Sequence, residues 1–238
     1  MKTLVTLCGL VVLLSACRLG FNSVRGSGNK ITQSRDVSGF TSVEAAGPMD
    51  VEIKMGSGYK VSIEADDNLM QYILVRKEGG KLVVKLKDNI NVSYDNGMKV
   101  SIEMPSLHEV DLSGSGSLKT IGQVTDPNKI EVSISGSGNA TMDVNTPSLD
   151  ASISGSGKAI VTGQTKTIDV SIAGSGDFDA PDLKSETAKV SIAGSGNARI
   201  FASVSIDASI VGSGDVIYSG SPSISKSIIG SGELKPAQ

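Results

Sequence analysis

The chain has 238 residues, room for one solenoid domain with a distinct N-terminal section, and its net charge of −3 offers no basic field to nucleic acid. Only 3% of residues are aromatic, none is Trp and 28 are Gly, which suits narrow coils filled by Ile, Val, Leu and Ala. Both cysteines, Cys8 and Cys17, fall at the very start of the sequence, so the rest of the chain has no thiol for a disulfide, a metal or catalysis.

Residues 1–16 read as a lipoprotein signal peptide. Lys2 supplies the positive start, and Leu4 to Leu14 supply an apolar run too short for a typical membrane-spanning helix. Leu14-Ser15-Ala16 then places small residues before Cys17, the expected lipidation site and new N-terminus. Several acyl chains on one terminus anchor a protein lastingly, whereas a single chain does not. Arg18 stands where an inner-membrane retention aspartate would stand, which favours the outer membrane, periplasmic or surface-facing. Residues 17–34, with Arg25-Gly26-Ser27-Gly28-Asn29, read as a flexible lipidated tether.

Residues 35–105 form a less regular, β-rich N-terminal part. Alternation begins at Phe40, Val43 and Ala45 and continues through Met49, Val51, Ile53 and Met55. Gly56-Ser57-Gly58 follows in a different phase from the later glycine triplets, so it predicts a hairpin loop leading to Val61, Ile63 and Ala65. Asp67 to Ile73 can hold a short helical turn, and Glu78-Gly79-Gly80 joins two further strands as a hairpin. Asp95-Asn96-Gly97 leads into Val100, Ile102 and Met104, and Pro105 closes that strand.

Residues 106–238 repeat. Gly-Ser-Gly recurs with its first glycine at Gly114, Gly136, Gly155, Gly174, Gly194, Gly212 and Gly230, spaced 18 to 22 residues apart. Its second glycine falls at Gly116, Gly138, Gly157, Gly176, Gly196, Gly214 and Gly232. A near-constant period of this size marks a solenoid. Two residues before each triplet stand Leu112, Ile134, Ile153, Ile172, Ile192, Ile210 and Ile228; between those aliphatic positions lie Ser133, Ser152, Ser171, Ser191 and Ser209. Period-two alternation on both sides of the triplet predicts strand, tight corner, strand and then a variable loop such as Asn145-Thr146-Pro147-Ser148. The glycines of each triplet are free to take the positive φ of a sharp corner. Stacked in register about 4.8 Å apart, such coils make an all-β parallel β-helix.

The triplet array, the closing Gly220-Ser221-Pro222-Ser223-Ile224-Ser225-Lys226-Ser227-Ile228-Ile229-Gly230-Ser231-Gly232 and the earlier Arg35-Asp36-Val37-Ser38-Gly39-Phe40 resemble the bacterial putative auto-transporter adhesin, head GIN domain family. The resemblance covers roughly residues 35–234. It implies a right-handed β-helix, shaped like pectin-lyase-like proteins but without a recognised active site, in a cell-envelope protein associated with adhesion.

The chemistry in the sequence is sparse. His108, the one histidine, sits in a column otherwise held by Ile, Leu or Ala, and a serine nucleophile has no other imidazole to activate it. Asp177-Phe178-Asp179 lacks the glycine spacing of calcium-binding β-rolls, so no metal and no cofactor are expected. A polysaccharide lyase would need carboxylates and a basic residue gathered on one face, and Asp177, Asp215, Glu233 and Arg199 do not supply that cluster. The expected function is a non-catalytic envelope lipoprotein, an adhesin or binding scaffold that offers its Ser/Thr/Asn ladders to a glycan or envelope protein. A lyase-like enzyme and a purely structural lipoprotein are the competing readings. Lys226, entering the Val/Ala column, with residues 233–238 reads as a cap against end-to-end stacking.

Overall fold

A computed structural model describes residues 22–94 and 96–237. Residues 1–16, expected to be a signal peptide, and Cys17 therefore lie outside the described residues. Strands dominate the described structure, and its one helical piece is a 3-10 turn, Met70–Tyr72, where the sequence allows a short helical turn.

The tether reading fails over residues 22–34. β1 (Asn22–Arg25) and β2 (Lys30–Arg35) are strands. The Gly-Ser segment between them is tied down rather than flexible, because the sharp turn at Asp66 to Asn68 presents acceptors to it. The Ser27 amide donates to Asn68 Oδ1 (2.9 Å), the Gly28 amide to Asp66 Oδ2 (3.1 Å) and Asn29 Nδ2 to Asp67 Oδ2 (2.9 Å).

The solenoid starts earlier than the regular triplets. β3 (Ser42–Ala46) and β4 (Asp50–Met55) stack in register on β10 (Glu109–Gly114) and β11 (Ser117–Ile121), Ala45 against Leu112 and Val51 against Leu118. That register puts Gly47-Pro48-Met49 beside Gly114-Ser115-Gly116, and Gly47 has a positive φ (+123°) like the first glycine of every later corner. The chain then leaves the stack. β5 (Lys60–Asp66), β6 (Ile73–Glu78), β7 (Lys81–Leu86), β8 (Ile90–Ser93) and β9 (Lys99–Met104) build the end before the chain returns to the other side of β3 and β4.

β7 runs parallel to β3 and β9 parallel to β4, so they form the outermost coil, and β8 pairs with β1 in a separate two-stranded sheet. β6 folds antiparallel onto β7 through the expected Gly79-Gly80 hairpin. Gly56-Ser57-Gly58 is no hairpin loop. β4 and β5 flank β9 on opposite sides, so the triplet spans a strand instead of reversing between two partners.

From β10 onward each coil has a strand before the triplet and one after it, and the earlier coils add a third segment. The columns before the triplet pair residue for residue through β13 (Lys129–Gly136), β14 (Asn139–Gly155), β15 (Lys158–Gly174), β18 (Thr187–Gly194), β20 (Ser205–Gly212) and β22 (Ser223–Gly230). After the triplet, β14 and β15 continue to β16 (Asp177–Ala180), β19 (Asn197–Phe201), β21 (Val216–Ser219) and β23 (Leu234–Pro236). β12 (Val124–Thr125) and β17 (Leu183–Lys184) pair with β14 and β15 as a third wall, in the stretch that reads as variable loop. Leu112, Ile134, Ile153, Ile172, Ile192 and Ile210 are all buried in one continuous ladder, each worth roughly 1.5–3 kcal/mol of burial.

The two glycines of a corner are there for different reasons, which corrects the expectation that both make the turn. Only the first has the positive φ: Gly174, for example, has φ +118°, and a Cβ there would stand 2.5 Å from Gly155 O of the preceding coil. The second glycines, Gly116, Gly138, Gly157, Gly176, Gly196, Gly214 and Gly232, have no positive φ and do not need glycine for the turn itself. What they need is room. A Cβ would stand 2.8 Å from Gly116 O at Gly138, 2.2 Å from Gly176 O at Gly196 and 2.0 Å from Gly196 O at Gly214. At Gly176 it would meet Ile153 Cγ2 at 2.5 Å and Gly157 O at 2.7 Å. The first glycine makes the turn; the second lets the coils close.

A second corner repeats more quietly. Thr146-Pro147-Ser148, Thr165-Lys166-Thr167 and Ser185-Glu186-Thr187 occupy equivalent places, and Thr146, Thr165 and Ser185 are buried. Thr146 Oγ1 donates to Ser148 O (3.2 Å), Thr165 Oγ1 to Thr167 O (3.1 Å) and Ser185 Oγ to Phe201 O. Each buried hydroxyl thereby finds its partner on a backbone carbonyl near the bend.

Candidate functional site

The wall before the triplets carries the most regular surface. Ser133, Ser152, Ser171, Ser191 and Ser209 stack in register on it, exposed or half-exposed. Two residues earlier runs a charged column of Glu131, Asp150, Asp169, Lys189 and Asp207, and two earlier again a column that is mostly hydroxyl, Ser148, Thr167, Thr187, Ser205 and Ser223. The hydroxyl and charged columns border a shallow groove of about 540 Å³ that crosses five coils. The hydroxyl column escapes a reading of the sequence because it begins in the apparent loop; its signal is the recurring hydroxyl residue, any residue, hydroxyl residue at the second corner.

The charges in this wall are partly neutralised within it. Lys129 reaches Glu131 (2.7 Å) and Asp150 (2.9 Å), and those two carboxylates raise its pKa above the ordinary lysine range. Lys189 reaches back to Asp169 (3.5 Å). The result is a flat surface of hydroxyls with small charges of both signs, repeated at the strand spacing.

The wall after the triplets is more self-contained. Asp177 Oδ1 accepts the Asn197 amide (3.3 Å), Asn197 Oδ1 the Asp215 amide (3.1 Å), and Asp215 Oδ1 the Glu233 amide (3.0 Å). Asp179 pairs with Arg199 (2.7 Å) and Lys158 (3.0 Å). Burial pushes the Asp179 carboxyl up, but those two cations outweigh it and hold its pKa below the usual range. A calcium site or a lyase would need such acids free, whereas here Asp177, Asp179 and Asp215 commit oxygens to amides and ion pairs of the stack. Among the described residues no three His, Cys, Asp or Glu side chains gather as a metal site would require.

His108 has a partner that the sequence does not reveal. Its Nδ1 pairs with Asp126 Oδ2; the histidine side chain is 45% exposed and the aspartate 1%. Asp126 Oδ1 meanwhile accepts the amides of Asn128 (2.7 Å) and Lys129 (2.9 Å), so this carboxylate holds the turn at the second corner of the first regular coil. Burial pushes its pKa up, but the two amides and His108 more than compensate and leave it below the ordinary value. A depressed carboxyl stabilises the fold above its unfolded pKa of about 3.9, and that stability is lost as pH falls through the folded value. Asp126→Asn keeps the amide acceptor and removes the charge. It should lower the urea midpoint at neutral pH and flatten its fall in acid; an unchanged acid slope would deny Asp126 this role.

No helix among the described residues is long and apolar enough to cross a membrane. A comparison with curated proteins finds no match. Solved structures are similar over most of the chain. A putative adhesin from Bacteroides fragilis NCTC 9343 has a TM-score of 0.83 at 24% identity, covering 90% of this chain and 100% of its own. A putative lipid binding protein from Parabacteroides distasonis ATCC 8503 has a TM-score of 0.74 at 29% identity, covering 91% of this chain and 100% of its own. A putative adhesin from Parabacteroides merdae ATCC 43184 has a TM-score of 0.66 at 23% identity, covering 91% of this chain and 99% of its own. Residues 39–222, from the first coil to the threshold of the last, match a family as a whole. With its stacked glycine corners and that match, the chain belongs to the putative auto-transporter adhesin, head GIN domain family.

Proposed function

We propose that the protein is a non-catalytic binding scaffold of the cell envelope, held to a membrane by lipid at Cys17, with the hydroxyl and charged ladders as its binding face. One observation carries this reading: the groove along Thr167, Thr187 and Ser205 runs across successive coils in strict register. Such a face repeats at about 4.8 Å, the spacing of neighbouring strands, and suits an extended ligand better than a compact substrate. A glycan chain or an extended surface of an envelope protein fits that shape. The adhesin description of the family agrees with it. The relative described as lipid binding adds lipid vesicles to the ligands worth testing.

The purified mature domain, applied to glycan and envelope-protein arrays and to vesicles, should bind without converting its ligand. Incubation with acidic polysaccharides should release no unsaturated product; release of such product would overturn the non-catalytic reading. The anchor has its own test. Cys17→Ser should move the protein from the membrane fraction to the soluble one and abolish fatty-acid labelling. A variant that still pellets with membranes and labels would remove the lipid anchor from the proposal.

A further inference from the structure

The two ends of the solenoid are built differently. At the first end β5, β6 and the 3-10 turn lie over the coils, and Leu69, Met70 and Ile73 are buried there. At the other end, among the described residues, β22 pairs with β20 alone and β23 with β21 alone. The Ser223 amide donates to Val204 O in the preceding coil (2.9 Å), and the Ser231 amide just beyond the strand donates to Gly212 O (2.9 Å). The two-residue alternation of a strand therefore turns the N–H and C=O groups of Ile224, Lys226 and Ile228 to the open side.

The same three residues carry the side chains that continue the interior columns. They lie in register with Ile206, Ala208 and Ile210, all of them buried. With no further coil among the described residues, Ile224 is 45% exposed, Ile228 half-buried, and Ile229 on the outer surface 67% exposed. Lys226 stands where Val110, Val132, Ala151, Val170, Val190 and Ala208 stand in earlier coils. It is exposed, and no carboxylate among the described residues pairs with it.

We propose that this edge is a docking site for one extended segment of a partner protein, added as a further parallel strand with the pattern aliphatic-x-acidic-x-aliphatic. Main-chain hydrogen bonds to Ile224, Lys226 and Ile228 supply affinity, and the side chains at alternate positions supply selection. Parallel register sets the partner's central residue beside Lys226, about one strand spacing away. An apolar residue there would cover an ammonium group and leave it without a counter-charge, whereas Asp or Glu supplies one. A second copy of this chain fits poorly. Its own β22 would bring another Lys226 to the contact. Its first end presents β2 and β6, which carry Lys30, Arg35, Arg76 and Lys77 against the single acid Glu78. Lys226 thus disfavours self-stacking and selects an acidic strand by the same charge. The edge meets the last coil of the ladder groove at Ile224, but Lys226 and the open N–H and C=O groups of the strand are not what the groove offers its ligand, so either proposal can fail without the other.

The test uses the full mature chain and fluorescent peptides with the core Val-Ser-Asp-Ser-Val or Val-Ser-Lys-Ser-Val, read by anisotropy. The Asp peptide should bind about tenfold more tightly than the Lys peptide. Lys226→Glu, checked for an unchanged circular dichroism spectrum, should reverse that order. Ile224→Asp, also at the exposed edge, should weaken both peptides. Failure of the wild type to bind the Asp peptide, or a preference that Lys226→Glu leaves unaltered, would overturn the proposal.

Discussion

Ile172→Asp should unfold the solenoid, while Ser171→Asp, one residue away, should leave it standing. Ile172 is 2% exposed and stacked between Ile153 and Ile192, with Val170 beside it in the next interior column. A carboxylate placed there has no cation and no donor within the aliphatic ladder, so it must stay uncharged or drag water inside. The milder Ile172→Ala should cost about 2–5 kcal/mol, the usual range for truncating a buried aliphatic side chain. Ser171 faces outward on the serine ladder and should tolerate Asp within about 0.5 kcal/mol, as surface positions do. Urea denaturation followed by circular dichroism measures all three. Equal losses at the two positions would reject the assigned alternation.

Gly174→Ala and Gly176→Ala should both destabilise strongly, with Ser175→Ala between them nearly silent. Ser175 is exposed, so its hydroxyl is free to meet water. At Gly174 an L residue must hold φ +118° and push against Gly155 O, costing roughly 1–2 kcal/mol for the conformation before any clash. At Gly176 the backbone is ordinary and the whole cost is steric, because Ile153 and the Gly157 carbonyl already fill the space a methyl would need. Overpacking of that kind costs about 1–3 kcal/mol. Every coil depends on the one before it, so the loss should appear in the unfolding of the whole stack. A Gly176→Ala variant with the parent's urea midpoint would show that the coils have slack at the corner.

Where the sequence is legible, the reason is repetition. Ile134, Ile153, Ile172 and Ile192 align by eye because every coil solves the same packing problem with the same residue, and their ladder is in the structure. The division of labour within each triplet is not legible, since Gly138, Gly196 and Gly214 look identical to the glycines two residues before them and only the stacked neighbour tells them apart. Gly47-Pro48-Met49 is hidden as a corner. It keeps the first glycine's positive φ but replaces the second glycine by Met, and nothing in the sequence says that a neighbouring coil lies on both sides. Gly56-Ser57-Gly58 misleads for the converse reason. It has the composition of a corner, but the strand it spans, β9, begins only at Lys99. Pairing between segments so far apart leaves no local trace.

The surface follows the same division. The serine column is readable because it alternates with the aliphatic ladder, whereas the hydroxyl column at Ser148, Thr167 and Thr187 begins inside a stretch that resembles loop. His108 and Asp126 are joined across a coil, and neither residue announces the other. The buried Asp126 becomes legible only once the second corner is seen to need an acceptor for the Asn128 and Lys129 amides.

The binding face is tested most directly by two triple variants on the same arrays, each adding three arginines so that net charge changes equally. Thr167→Arg with Thr187→Arg and Ser205→Arg crowds the groove, while Thr141→Arg with Ile160→Arg and Ile217→Arg alters the wall after the triplets. Both sets replace half-buried or exposed side chains, so both proteins should fold with the parent's circular dichroism spectrum. The ladder proposal predicts that the first variant loses the wild-type array signal and the second keeps it. A first variant that binds as the parent does, or a second that loses binding equally, would contradict it.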